Sequence, residues 1–281
     1  MERTFCALHA AAAENPGQVA TGKDHPILVV LQLAGGNDGL NTLVPYRDDA
    51  YYRSRPTLSV PAAQVLPLDD RLGLHPALGS LRTLWETGAL AFIQGVGYPN
   101  PNRSHFRSTE IWQTGSDAGQ TLTQGWLGRY FDSCCSGEPA FVGVTLGPQL
   151  PQAFTARNPV GVALEGPEPV AFPKLQAMEE TAFAVANGFP PDGESGGSIG
   201  SLPGPQSSSL SPLEYLQRVA LDARVSSGEI NRILKHSKAE APYPASRLGR
   251  SLSTVARLIA GGMPTRVYYL SHGGFDTHAG Q

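Results

Sequence analysis

The stretch ILVVLQLAGGNDG, residues 27–39, decides the reading of the fold. Ile27 to Leu33 is a continuous apolar run rich in β-branched side chains, and Gly35 and Gly36 end it. A short apolar run without alternation is the pattern of a strand covered on both faces, as in a parallel sheet flanked by helices. Further along, Pro76 to Trp85 carries Leu78, Leu81, Leu84 and Trp85 at helical spacing, and Gly88 stops it. Ala89 to Gln94 then reads as a second strand. Strand, helix and strand in that order form the βαβ signature, whose crossover is right-handed. The expected fold class is therefore α/β: a mostly parallel central sheet flanked by helices.

The rest of the chain adds elements of the same kinds. His105 to Gln113 is expected to be helical, with Ser104 placed to cap it and Gly115 to stop it. Trp126 to Phe131 predicts a short helix, Phe141 to Val144 a third strand, and Arg266 to Leu270 a later one ending at Gly273 and Gly274. Leu213 to His236 and Ala245 to Ile259 are amphipathic by their Leu, Val and Ile spacing and are expected to cover the sheet. Gly188 to Ser209 changes abruptly to Gly, Pro and Ser with almost no apolar content, so it is read as a flexible loop that cannot offset its own ordering entropy. Residues 1–25 are expected to form an N-terminal tail, and 26–281 a partial domain containing that loop at about 188–209.

Composition narrows the function classes. The apolar share of 41% is globular, while the charged share of 16% lies below the roughly 25% of typical soluble domains, and 32 Gly with 24 Pro imply many turns. A formal net charge of -3 and no basic stripe give nucleic acid no electrostatic foothold. No segment after the start approaches transmembrane length, and the apolar stretch Phe5 to Ala13, preceded only by Arg3 and broken by His9, falls short of a signal peptide. Of the three cysteines, Cys134 and Cys135 are adjacent and cannot easily pair with each other.

Three segments could carry chemistry. Gly35-Gly36-Asn37-Asp38-Gly39 follows the first strand, and ligands in open α/β sheets bind beyond the carboxyl ends of strands, which puts Asp38 where a metal-binding carboxylate belongs. The same residues suit a tight turn equally well. Asn102 to Ser108 precedes a helix, where Ser104 would feel the positive end of the dipole and Arg103 and Arg107 could hold phosphate or sulfate oxygens. A serine there is also an ordinary cap, and His105 an ordinary first-turn residue. His272-Gly273-Gly274-Phe275-Asp276-Thr277-His278 ends the last strand, and Asp276 with His278 could converge on one divalent cation. Gly196-Gly197-Ser198-Ile199-Gly200 formally matches a hydrolase nucleophile elbow but lies in the Gly and Ser tract without the required strand and helix. His75, before a helix, reads as structural, and Cys134 and Cys135 lack metal-spaced companions.

LVVLQLAGGNDGLNTLVPYRDDAYYRSRPTLSV, LGLHPALGSLRTLWETGALAFIQGVGYPNPNRSHFRSTEIWQTG, GWLGRYFD and YYLSHGGFDTHAGQ together resemble the DUF1501 family from about Pro26 onward, least distinctively in the middle third. That family is similar to the alkaline phosphatase and sulfatase superfamily, which holds divalent cations and uses a Ser, Thr or modified Cys nucleophile. The resemblance implies an alkaline-phosphatase-like domain and a metal-dependent hydrolase of phosphate or sulfate esters. It implies Ser104 as nucleophile and Asp38, Asp276 and His278 as ligands of zinc, calcium or a similar ion; Asn37, Arg103, His105 and Arg107 are expected as substrate contacts beside them. Asn37 stands where sulfatases have the first of two Asp ligands, and the order Ser104, Arg107, Thr114, Gly115 matches the sulfatase helix with one extra residue and no proline. Relatives continue to an Asp-His-Gly element and commonly begin with a twin-arginine export signal. The expectations that follow are a partial domain with little turnover, a periplasmic or extracellular location, and a small anionic ester or a sulfated or phosphorylated polymer as partner. The rival expectation is a non-catalytic exported binding protein that keeps the fold.

Overall fold

The computed structural model describes residues 26–135, 140–158, 160–164 and 228–277. The tail 1–25, the tract 188–209, most of the expected helix 213–236 and His278 lie outside them. The described chain begins with β1 (Leu28–Leu33), α1 (Gly39–Thr42), β2 (Leu43–Val44), α2 (Asp49–Ser54), β3 (Leu66–Pro67), β4 (Gly73–Leu74) and α3 (Gly79–Glu86). It continues through α4 (His105–Thr114), α5 (Trp126–Cys134), β5 (Gly143–Leu146), β6 (Val162–Leu164), α6 (Arg247–Ala260) and β7 (Val267–His272). Residues 228–236 are also helical. No helix among the described residues is long and apolar enough to cross a membrane.

The chain divides into two compact units, the first holding the described residues up to Gln32 and from Phe106 to His272, the second Leu33–His105 and the described residues from Gly273. The first unit is built on a mostly parallel four-stranded sheet in the order β1-β7-β5-β6. β5 runs parallel to both neighbours, with Val144 opposite Val162 on one side and Tyr268 on the other.

Alternation along β7 fills both faces of this sheet. Tyr268 and Leu270 pack with Val144, Ile230, Ile233 and Leu258, while Val267 and Tyr269 pack with Leu127, Phe131 and Phe154. The second face is a run of edge-to-face aromatic contacts, Phe131 to Phe154 at 5.3 Å and Phe154 to Tyr269 at 5.9 Å between ring centroids. Each fully buried side chain of this size stabilises by about 1.5–3 kcal/mol, so the two layers hold the unit together. Thr265, fully buried, donates to the Phe141 carbonyl at 2.7 Å. Gln32 accepts hydrogen bonds from the Tyr269 hydroxyl and from Gln113 Nε2. Burial pushes the Tyr268 and Tyr269 hydroxyls up to about 12.

Three expectations need correction. Among the described strands β1 is at the edge, and its residues alternate between half-buried and exposed, leaving Val29, Leu31 and Leu33 about 40% accessible. The strands buried on both faces are β5 and β7 at the centre of the order, because position in the sheet rather than local hydropathy sets two-sided cover. Ala89 to Gln94 forms no strand. It folds back on α3 instead, with Ala89 N donating to Leu84 O, Phe92 against Trp85 and Ile93 84% exposed. An apolar segment becomes a strand only where a neighbouring edge accepts its ladder. Finally, residues 140–142 make a 3₁₀ turn, so the third strand starts at Gly143 rather than Phe141.

The second unit contains a small antiparallel sheet in the order β2-β4-β3, with Leu43 opposite Leu74 and Leu66 on the other side of it. Val44, Tyr51, Val60 and Val65 form its core. Tyr51 reaches through that core, its hydroxyl donating to Asn41 Oδ1 at 2.7 Å and accepting from Val60 N at 2.7 Å. Helix starts here are capped by aspartates: Asp48 accepts from Ala50 N at 2.8 Å and Asp38 from Asn41 N at 3.3 Å.

Candidate functional site

The second unit holds residues from all three candidate segments. Asp38 sits in the turn between β1 and α1. It caps α1, and its two carboxylate oxygens accept a side-by-side pair of hydrogen bonds from Arg55, Nη1 to Oδ1 at 2.8 Å and Nη2 to Oδ2 at 2.6 Å. Both side chains are about one-fifth exposed, so this is a partly desolvated, bidentate ion pair of the stronger kind. Asn37 turns onto Thr42, donating to its hydroxyl at 3.0 Å, and Thr42 donates to the Asp38 carbonyl at 2.9 Å.

The other two segments meet directly. His105 Nε2 lies 3.3 Å from Asp276 Oδ1, with both side chains roughly half exposed. An exposed pair of this kind contributes at most about 1 kcal/mol, so its worth lies in position rather than stability. The approach depends on Gly35. That residue has φ of +102°, and a Cβ there would stand 2.8 Å from Asp276 N, closer than real Cβ atoms come. Gly36 follows with φ of +90° and lies against His105 Cε1. The double glycine thus lets the chain leaving β1 lie flat against the chain leaving β7, a need that strand termination alone does not impose.

Two clefts adjoin these residues. The smaller, about 550 Å³, is lined by polar groups of Asn37, Asp38, Asn41, Thr42, Arg55, His75 and Thr277, with Leu78 and Phe275. The larger, about 850 Å³, is lined by Leu40, Leu43, Leu58, Phe92 and Ile93, with Ser54, Thr57 and Gln94. Asn37, Asp38, Thr42 and Arg55 belong to both. His75 keeps the structural role read from its place before a helix, Nδ1 accepting from Ala77 N at 3.1 Å, which leaves the ring proton of the neutral form on Nε2.

The remaining candidates sit as follows. Asn102 Oδ1 accepts from Ser104 N at 2.8 Å, holding the loop ahead of α4, and Arg103 and Ser104 are exposed. Arg107 belongs to the first unit, where its guanidinium pairs with Glu110 at 2.7 Å and donates to the Ala118 and Gln120 carbonyls. It thereby ties the loop after α4 to the helix. His278 lies outside the described residues. Arg55, which reaches Asp38 across 17 positions, was not a candidate in the sequence. The available signal was indirect: a carboxylate fixed at a loop beside a strand end needs a counter-charge, and no spacing rule says which arginine supplies it.

Asp276 and His105 offer a carboxylate oxygen and an imidazole nitrogen, two suitable donors for a divalent cation, but two donors are an incomplete shell. Among the described residues no group of three or more His, Cys, Asp and Glu side chains is placed to hold a metal. Asp38 would have to exchange Arg55 for the ion. What the arrangement offers directly is a histidine oriented by a carboxylate, an exposed serine preceding it in the chain, and an arginine at the wall between two clefts. Comparison with protein families, with curated proteins and with solved structures found no match to this chain.

Proposed function

We propose that this chain is a hydrolase of phosphate or sulfate esters that depends on a divalent cation, on an alkaline-phosphatase-like fold of the DUF1501 kind and acting outside the cytoplasm. The observation that supports it most is the 3.3 Å approach of His105 to Asp276 over the Gly35 backbone, which joins three segments far apart in sequence. In this reading the Ser104 oxygen bonds the phosphorus or sulfur while the ester oxygen leaves as the alcohol, and water then splits the Ser104 ester to release phosphate or sulfate and restore the hydroxyl. His105, oriented by Asp276, carries the proton. Arg103 steadies the anion, with Asn37 as a further contact. Asp38, Asp276 and His278 are the ligands the resemblance implies for a cation, which when bound would neutralise charge on the anion.

The test is hydrolysis of aryl phosphates and aryl sulfates by the purified chain with zinc, manganese or calcium, beside its metal content. Turnover that needs a cation and falls about a hundredfold or more in Ser104→Ala and His105→Ala is the expected result. Turnover indifferent to both substitutions would remove the proposal. A second reading, a non-catalytic exported protein that binds a small anion or a sulfated or phosphorylated polymer, is favoured by the pairing of Asp38 with Arg55 and of Asn37 with Thr42. Anion binding without turnover and without a bound metal would select it.

A further inference from the structure

We infer that the ester of this site is carried on a sugar, whose uncharged ring occupies the smaller, polar cleft beside His105 and Asp276. This rests on the ester reading above and names its substrate class. The cleft adjoins the residues of that reading: Phe275 and Thr277 of its lining flank Asp276 in the chain, and a Cβ on its Gly36 would stand 3.8 Å from His105 Cε1. At about 550 Å³ it falls within the size range of small-molecule sites and is larger than a bare phosphate or sulfate requires. A ring seated against Gly36 and Phe275 brings its own ester group to His105 and Asp276.

Charge decides between an ion and a neutral occupant. Among the described residues of the lining, Asp38 is the one carboxylate and Arg55 the one guanidinium, and each is engaged with the other through two parallel hydrogen bonds. With His75 neutral the cleft carries no net charge, so an anion seated there would have to displace Asp38 from Arg55. Hydrogen-bonding capacity of both kinds is left over. The pair takes up two of the five guanidinium N–H groups, His75 in its neutral form keeps a proton on Nε2, and the Thr277 hydroxyl both donates and accepts. A sugar hydroxyl likewise donates and accepts at one oxygen, and so pairs with either kind of group. Phe275 and Leu78 give the C–H face of the ring an apolar surface. The wall is also preformed: Asn37 donates to Thr42 and Tyr51 to Asn41, so binding orders few side chains.

Calorimetric titration in the presence of a chelator tests this with methyl phosphate, methyl sulfate and the 6-phosphates and 6-sulfates of glucose and galactose. At least one sugar ester should bind about tenfold or more tightly than the methyl ester of the same acid, the gain of about two hydrogen bonds. The unesterified methyl glycoside of that sugar should compete with it. Arg55→Lys keeps the charge opposite Asp38 but loses the planar fork, and Thr277→Val removes a hydroxyl at an exposed position. Each should shrink the ratio of sugar-ester to methyl-ester affinity about threefold or more. Sugar esters that bind no tighter than methyl esters, or a ratio that survives both substitutions, overturn the inference. The two readings fail differently: turnover of aryl esters with a cation but no sugar gain refutes the sugar and keeps the hydrolase, whereas a sugar gain with no turnover under any cation keeps the sugar site and refutes the hydrolase.

Discussion

Replacing Gly35 by alanine, with Gly36→Ala as its partner, separates backbone strain from the close approach that positions Asp276. Both glycines have positive φ, +102° and +90°, so alanine at either costs about 1–2 kcal/mol of strain. They differ in what the new methyl meets. At Gly36 the nearest atom is His105 Cε1 at 3.8 Å, an ordinary contact, while at Gly35 it is the Asp276 backbone nitrogen at 2.8 Å with Asp276 Cβ at 3.0 Å. A backbone atom cannot swing aside, so the segment from Gly273 to Thr277 must be displaced, adding about 1–3 kcal/mol of overpacking. Amide exchange read by mass spectrometry reports this locally. Exchange in residues 273–277 should rise by tenfold or more in Gly35→Ala relative to Gly36→Ala, since about 1.4 kcal/mol of added opening free energy is a factor of ten. Equal protection of that segment in the two variants would refute the claim that Gly35 seats Asp276.

The buried tyrosines make the first unit sensitive to alkali. Tyr268 and Tyr269 are held neutral by burial, with ionisation raised from 10.0 to about 12, so their contribution is complete below pH 10 and is lost as pH rises through 12. At pH 11 the loss is about 1.4 kcal/mol for each, and the urea midpoint should fall between pH 9 and 11, less steeply in Tyr269→Phe; a flat profile would contradict their burial. Thr265→Val removes the donor to the Phe141 carbonyl inside the core and should cost about 1–3 kcal/mol in urea unfolding, with Thr265→Ser recovering part of it.

Much of the architecture could be read from local pattern. The amphipathic spacing around α6 and the apolar run of β7 were found within two residues, because each is long enough for its period to show. The 3₁₀ turn and helix from Pro76 to Glu86 carried an unmistakable stop at Gly88. β1 was found, but its two-sided burial was not there to find, since order in a sheet is a property of distant partners. The antiparallel sheet of the second unit was invisible because strands of two residues have no period. At the site, the three candidate segments were legible from where they follow strands or precede a helix, and His105 and Asp276 do meet. The bidentate hold of Arg55 on Asp38 was not legible, because an ion pair across 17 residues leaves no spacing to recognise.

Five of the six side chains in β1 are apolar, which makes the strand ambiguous about which way to face. Sliding it by one residue against β7 would swap one greasy face for another at little hydrophobic cost, and most edge strands rely on that cost to stay aligned. Gln32 breaks the tie. Turned outward it would abandon the Tyr269 hydroxyl and the Gln113 amide together, so this lone carboxamide works as a registration peg that tells an otherwise undecided strand where to stop.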